Sequence, residues 1–242
     1  MVIRSEASPV LLDTYHLERH VIGVITTEQA YTRWKSRFFP TRSDLPDGLE
    51  EIPAIIVELG HRYENSPAIL YSHGIKVMAY EDPFWSTAQP GSRAPHIWFR
   101  KGDGVVSLYD SFDVHKFVLL CSKRGTAWQE VRENFPIGWP LRVVVVSLGE
   151  FFSKYEIRDT GAVLVRPDGV IAWKAVTDSE ADKLGSVMAH LLGVKIGGLQ
   201  RPEAMRAVNA PTMAAPDKPV RAPAPTGLLR RMTLSIKRRG TS

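Results

Sequence analysis

The chain has 242 residues, enough for one large domain or a small domain with appendages, and its 44% hydrophobic content is ordinary for a globular protein. A single cysteine, Cys121, excludes an intrachain disulfide, and no apolar run approaches the roughly 20 residues of a membrane-spanning helix. The net charge of +5 belongs to the end of the chain: from Arg201 onward there are nine basic and two acidic residues, whereas residues 1–200 carry 22 basic and 24 acidic, so the body offers no electrostatic footprint for nucleic acid.

Residues 1–40 read as helical. The N-terminus places acidic residues inside any would-be apolar core, unlike a secretory signal, so the expected location is cytoplasmic. Ser8-Pro9 is a helix start, and Leu11, Leu12, Tyr15, Val21, Ile22 and Ile25 recur at helical spacing up to the stop near Pro40. Residues 41–90 form a connecting segment with short strands: a Pro-Asp-Gly turn at 46–48, then apolar runs at 54–63 and 66–72 that read as strands.

Residues 91–196 have the clearest grammar. His96–Phe99 and Val105–Asp110 flank a turn and predict a hairpin. A buried strand at 116–122, a helix at 125–135 and a β-branched strand at 140–147 follow. Residues 161–176 predict two strands joined by Pro167-Asp168-Gly169, and the last helix opens on a Thr177/Glu180 capping box and stops at Gly193. A βαβ unit followed by ββα is the thioredoxin-like plan, a mixed sheet flanked by helices. The predicted fold is therefore α/β: a thioredoxin-like C-terminal domain preceded by a long helical segment. Residues 197–242 read as a disordered Pro/Ala-rich basic tail, with Leu228, Leu229, Met232 and Ile236 among its cations and a basic-directed phosphorylation pattern at Thr233.

Candidate chemistry is sparse. Cys121 stands where thioredoxin-like proteins keep a reactive dithiol, but one thiol has no resolving partner, and it reads as a small buried hydrophobe. His16 and His20 share a helix face, yet no third metal ligand is evident. Lys101-Gly102-Asp103-Gly104 lies in a hairpin and not before a helix, which disfavours a dinucleotide site. Gly91, Arg93, Pro95 and His96 crowd one short turn. The two prolines at 90 and 95 force extended backbone before them, Gly91 permits a turn, and Arg93 and His96 can hydrogen-bond a neighbouring element. The turn reads as a structural docking point and not as a reaction centre.

Taken together, "PGSRAPHIWF", "SLYD", "FVLL", "PLRVVVV" and "GAVLVRPDGVIAWKA" resemble the C-terminal portion of FAD-dependent aromatic-ring hydroxylases, the phenol-hydroxylase-like branch of the flavoprotein monooxygenases. The resemblance implies that the turn at Gly91, Arg93, Pro95 and His96 opens a thioredoxin-like domain without a dithiol, and that Arg166–Gly169 closes its sheet. Upstream, residues 11–23 resemble the helix after the family's flavin-contacting Gly-Asp motif, and residues 57–69 resemble its Glu-Leu-Gly-x-x-Tyr segment. The family's Gly-x-Gly-x-x-Gly, Asp-Gly and Gly-Asp flavin motifs are absent. No catalytic, cofactor-binding or metal residue carries over, and FAD and NAD(P)H belong to the full-length family. The expectation is a C-terminal fragment of an aromatic monooxygenase, inactive alone. Its partner would be a separately encoded FAD-binding part or a second copy, met by the stripe of Leu11, Leu12, Tyr15 and Ile22. The alternative is a stand-alone thioredoxin-like interaction module whose basic tail meets an acidic surface.

Overall fold

The computed structural model describes residues 1–71, 79–101, 104–133, 135, 138–146 and 149–194. The basic segment 197–242, with Thr233 and the Leu228–Ile236 cluster, lies outside the described residues, as do Ser72, Ser147 and the centre of the turn at 102–103.

Ser8 caps a 3-10 turn, Pro9–Leu12, by accepting from the Val10 amide, with Pro9 at the first position. The turn runs straight into one long helix, α1, Asp13–Phe38. The buried side of α1 differs from the apolar stripe. Thr14, Glu18, Ile22, Ile25, Gln29 and Thr32 are buried, while Leu12 and Tyr15 are 63% and 70% exposed. The reason is hydrogen bonding. Gln29 donates to the Glu50 carbonyl (3.0 Å) and accepts from the Ile52 amide (2.8 Å), and Thr32 accepts from the Leu49 amide (3.0 Å). An extended segment at 45–52 is thus laced along the helix by groups that would cost free energy if buried unpaired.

The run at 54–63 is not a strand. Ala54–Leu59 is a short helix, α2, begun after Pro53 and ended at Gly60. A six-residue apolar run is ambiguous by period, and here the flanking Pro and Gly decided it. Only its end is extended, with His61 bridging Tyr80. The described part of the run at 66–72 forms no ladder either; Leu70 donates one hydrogen bond to the Ala172 carbonyl (2.8 Å).

Strands β1 (Trp98–Lys101) and β2 (Gly104–Ser107) form a separate antiparallel hairpin, and Leu108–Ser111 turns away as a capped 3-10 turn instead of prolonging β2. The main sheet comprises β3 (Phe117–Cys121), β4 (Leu141–Val145), β5 (Ala162–Val165) and β6 (Ile171–Ala175) in the order β4-β3-β5-β6. The β3–β4 pair is parallel, and β3–β5 and β5–β6 are antiparallel, which is the thioredoxin-like arrangement. Helix α3, Thr126–Glu133, crosses between β3 and β4. A short helix the sequence did not announce, α4 (Gly149–Lys154), precedes β5.

Both faces of the sheet are covered, so β3 and β5 are buried at every residue. Trp128 of α3 packs on one face with Leu119, Leu164 and Trp173. Helix α5, Leu184–Leu192, adds Leu184, Met188 and Leu191 there. Val118, Leu120, Val163 and Ile171 meet Phe151 and Tyr155 on the other face. Thr177 does not cap the last helix: its hydroxyl pairs with Ser179 (2.7 Å), and the chain enters α5 through a 3-10 turn at Asp178–Lys183. Gly193 ends α5 in the left-handed conformation, as its position predicts. Among the described residues no helix is long and apolar enough to cross a membrane.

Candidate functional site: the arginine turn and its surroundings

The turn from Pro90 to His96 lies along the outer edge of β6. The Gly91 amide donates to the Ile171 carbonyl (2.8 Å), the Ile171 amide donates to Ser92 (2.9 Å), and the Ala94 amide donates to Gly169 (2.9 Å). Arg93 and Val170 form the bridge between these contacts. The turn therefore closes a sheet edge that would otherwise present unpaired backbone groups. Two buried-side phenols fasten it: Tyr109 donates to the Ala94 carbonyl (2.6 Å) and Tyr155 to the Pro95 carbonyl (2.7 Å). Burial raises the Tyr155 hydroxyl well above its ordinary pKa, keeping it protonated as a donor.

Gly91 is held at φ +94°, and a Cβ there would stand 2.5 Å from the Tyr63 carbonyl oxygen. Gly91→Ala is expected to lower stability by about 1–3 kcal/mol from backbone strain alone, with more from the clash. Urea unfolding of the two proteins measures it, and equal midpoints would show that the turn rearranges freely.

Arg93 itself is exposed. Its guanidinium carbon lies 5.5 Å from the centre of the Tyr109 ring and does not reach into the interior. Pro95 is buried, and His96 is half-buried edge-on to Trp98 and Tyr109, with ring centroids 4.6 and 5.0 Å away. His96 Nε2 lies 2.8 Å from Ser107 Oγ. In that pair the serine serves as a cap. Ser107 Oγ also accepts from the Tyr109 amide (3.0 Å), and Asp110 accepts from the Ser107 amide (3.0 Å). Among the described contacts no carboxylate orients the His96 ring, as a base–orienter arrangement requires.

The other sequence candidates do not converge. Cys121 is fully buried at the end of β3. His16 and His20 are exposed with ring centroids 5.1 Å apart, and no group of three or more His, Cys, Asp or Glu among the described residues could hold a metal.

The structure brings together residues the motif search passed over. Arg166, at the start of the β5–β6 turn, reaches across to α1 and grips Glu18 with both ends of its fork, at 2.6 and 2.9 Å. Ser66 also donates its hydroxyl to Glu18. Arg166 further binds Asp168 (2.6 Å) and lies 5.6 Å from the centre of the Tyr63 ring. Burial opposes its charge, but the two carboxylates outweigh burial and hold the guanidinium above its ordinary pKa. The position of Glu18 at helical spacing from Ile22 and Ile25 is the sequence signal for this clasp.

The β3–α3 junction offers no open phosphate cradle. Where such a cradle would need open amides, Ser122 Oγ already accepts from the Arg124 (2.9 Å) and Gly125 (3.3 Å) amides. The missing Cβ of Gly125 makes room for Trp128 and not for a ligand.

Comparison with known proteins agrees with this arrangement. Residues 87–194 match the family described as aromatic-ring hydroxylase, C-terminal. The chain is 35% identical over 192 residues to a Burkholderia 4-methyl-5-nitrocatechol 5-monooxygenase, covering 72% of this chain and 34% of that protein. It is 33% identical over 201 residues to the tetracenomycin B2 monooxygenase-dioxygenase of Streptomyces olivaceus, covering 79% and 36%. Among solved structures, aklavinone-11 hydroxylase in complex with FAD and aklavinone superposes with a TM-score of 0.69 at 26% identity, over 79% of this chain and 37% of that one. The flavin-dependent monooxygenase PieE, in complex with FAD and substrate, gives 0.63 at 26% identity, over 79% and 41%. The chain spans about a third of the length of the curated relatives it matches. It belongs to the aromatic-ring hydroxylase family, of which it carries the C-terminal domain.

Proposed function

We propose that the chain supplies the C-terminal part of a flavin-dependent aromatic-ring monooxygenase. It contributes structure and domain or subunit contacts to NAD(P)H-dependent ring hydroxylation, while the flavin is held by another portion, continuous with this chain or carried on a separate one. The carrying observation is the two-sidedness of α1. One side is tied to the sheet through Glu18 and Arg166, and another presents Leu17, Val21 and Val24 at i, i+4 and i+7, each 40–51% exposed. Such an exposed apolar stripe marks an interaction surface. The relatives are about twice as long, which supports a flavin-bearing portion as its occupant. The turn at Gly91, Arg93, Pro95 and His96 then acts as a structural fastening, with no catalytic side chain.

The test mixes the full 242-residue chain with the flavin-binding portion of a relative. The chain alone is expected to be colourless and to oxidise no NAD(P)H. The mixture is expected to retain FAD and to oxidise NAD(P)H when a phenol is added. Leu17→Glu with Val21→Glu should remove that gain while leaving the chain folded. A chain that is yellow and phenol-responsive alone overturns the reading. Partner binding that restores no flavin chemistry favours the stand-alone interaction module.

A further inference from the structure

The five buried side-chain polar atoms left without a hydrogen-bond partner among the described residues are His61 Nδ1, Arg62 Nε and Nη2, Tyr80 OH and Gln89 Oε1. They belong to two chain segments joined by the His61–Tyr80 bridge and to the loop that follows. Native interiors leave few such groups, so a concentration of them calls for an occupant.

Arg62 is the sharpest case. Its side chain is 5% exposed. Nε and Nη2 form one complete edge of the guanidinium, the side-on edge that fits two oxygens of one group. Nη1 faces Glu81 Oε2 at 3.8 Å, beyond hydrogen-bond length. Glu81 is already filled from elsewhere, by the Ser86 hydroxyl (2.6 Å) and by the Thr87 hydroxyl (2.9 Å) and amide (3.2 Å).

A second buried cation lies in the same cluster. Lys174 of β6, also 5% exposed at its side chain, donates to the Tyr155 carbonyl (3.3 Å) and stands 3.8 Å from Glu156. Gln89 links the two halves, donating to Glu156 (3.0 Å) and to the Thr87 carbonyl (3.4 Å). Glu156 is 55% exposed and screened by solvent. Burial is the largest influence on both Arg62 and Lys174 and lowers each, against the opposing pull of Glu81 and Glu64 on Arg62 and of Glu156 and Glu81 on Lys174. Glu64, two residues from Arg62, is pushed the opposite way by its own burial.

We infer that Arg62 and Lys174 form an internal site for a small oxyanion, with two oxygens of a phosphate, sulfate or carboxylate group on the Nε–Nη2 edge of Arg62. The rim lies at Gln89 and Glu156. This inference does not depend on the hydroxylase role. It concerns a group held inside the chain, away from the exposed face of α1.

The test follows thermal unfolding of the full chain against inorganic phosphate, with sodium chloride at matched ionic strength and formate as the carboxylate arm. The expected result is a saturable rise in unfolding temperature with phosphate. Excluded-solute stabilisation by the same salt gives a rise without saturation. Arg62→Lys keeps the charge but loses the planar edge, and should raise the half-saturating phosphate concentration about tenfold or more. Lys174→Met provides the same comparison on the other cation if the first variant does not fold. Phosphorus NMR of wild-type chain should show line broadening of phosphate that sulfate competes away. A rise that chloride reproduces, or one unchanged in both variants, assigns these orphaned donors to water and overturns the inference.

Discussion

Arg166→Met should lower the stability of the chain by about 3–5 kcal/mol, because it strands the Glu18 carboxylate in the interior. Glu18 is 5% exposed at its side chain, and without Arg166 only the Ser66 hydroxyl remains to it. A buried pair and its two halves behave asymmetrically. Removing one partner leaves an uncompensated charge, whereas replacing both with apolar groups of similar volume is often close to neutral. The double variant Glu18→Leu/Arg166→Met is accordingly expected to recover most of the loss. For a folded unit of this size the single change should lower the unfolding temperature on the order of 10 °C. Denaturant unfolding of the four proteins of the cycle measures both terms. A loss under about 1 kcal/mol for Arg166→Met would mean that the clasp is solvated and does not hold α1.

Trp128→Ala is expected to cost about 3–5 kcal/mol, the range for truncating a large buried aromatic. Trp128 is fully buried, edge-on to Trp173 with ring centroids 5.8 Å apart, and its indole donates to the Thr160 carbonyl (2.8 Å). Truncation removes the packing and leaves that carbonyl unserved. Trp128→Phe separates the two effects, since it keeps most of the ring and loses only the donor; a cost of about 1–2 kcal/mol is expected. Near-ultraviolet circular dichroism with urea titration reads both variants. If the two cost the same, the hydrogen bond and not the ring is what matters.

These effects bear on how far the sequence could be read. The β3 and β5–β6 runs were legible because a sheet covered on both faces needs apolar residues at every position. The bend at 90–96 was legible because two prolines and a positive-φ glycine leave the backbone few alternatives. Helix α1 was found; of the stripe expected to meet a partner, Leu12 and Tyr15 are exposed and Ile22 is buried. Glu18, Gln29 and Thr32 are buried because their partners lie at Arg166, at Glu50 and Ile52, and at Leu49, and no local pattern reveals a partner that distant. Helix α2 was mistaken for a strand because β-branched residues over six positions carry no decisive period. Helix α4 is too short for a periodic signal; only its burial of Phe151 betrays it. Arg93 stood out in the sequence for its neighbours, yet the arginines that carry the interior are Arg62 and Arg166, both inside segments that the sequence marked only for their resemblance.

The clasp between Glu18 and Arg166 joins residues 148 positions apart. A ribosome adding about 5–20 residues per second delivers the arginine roughly 7–30 s after the glutamate. During that interval α1 has emerged without its anchor, its carboxylate still hydrated and its outer side chains open to chaperones. Helix α1 is therefore made well before the residue that seats it, and the nascent chain is vulnerable to proteases there until the clasp closes.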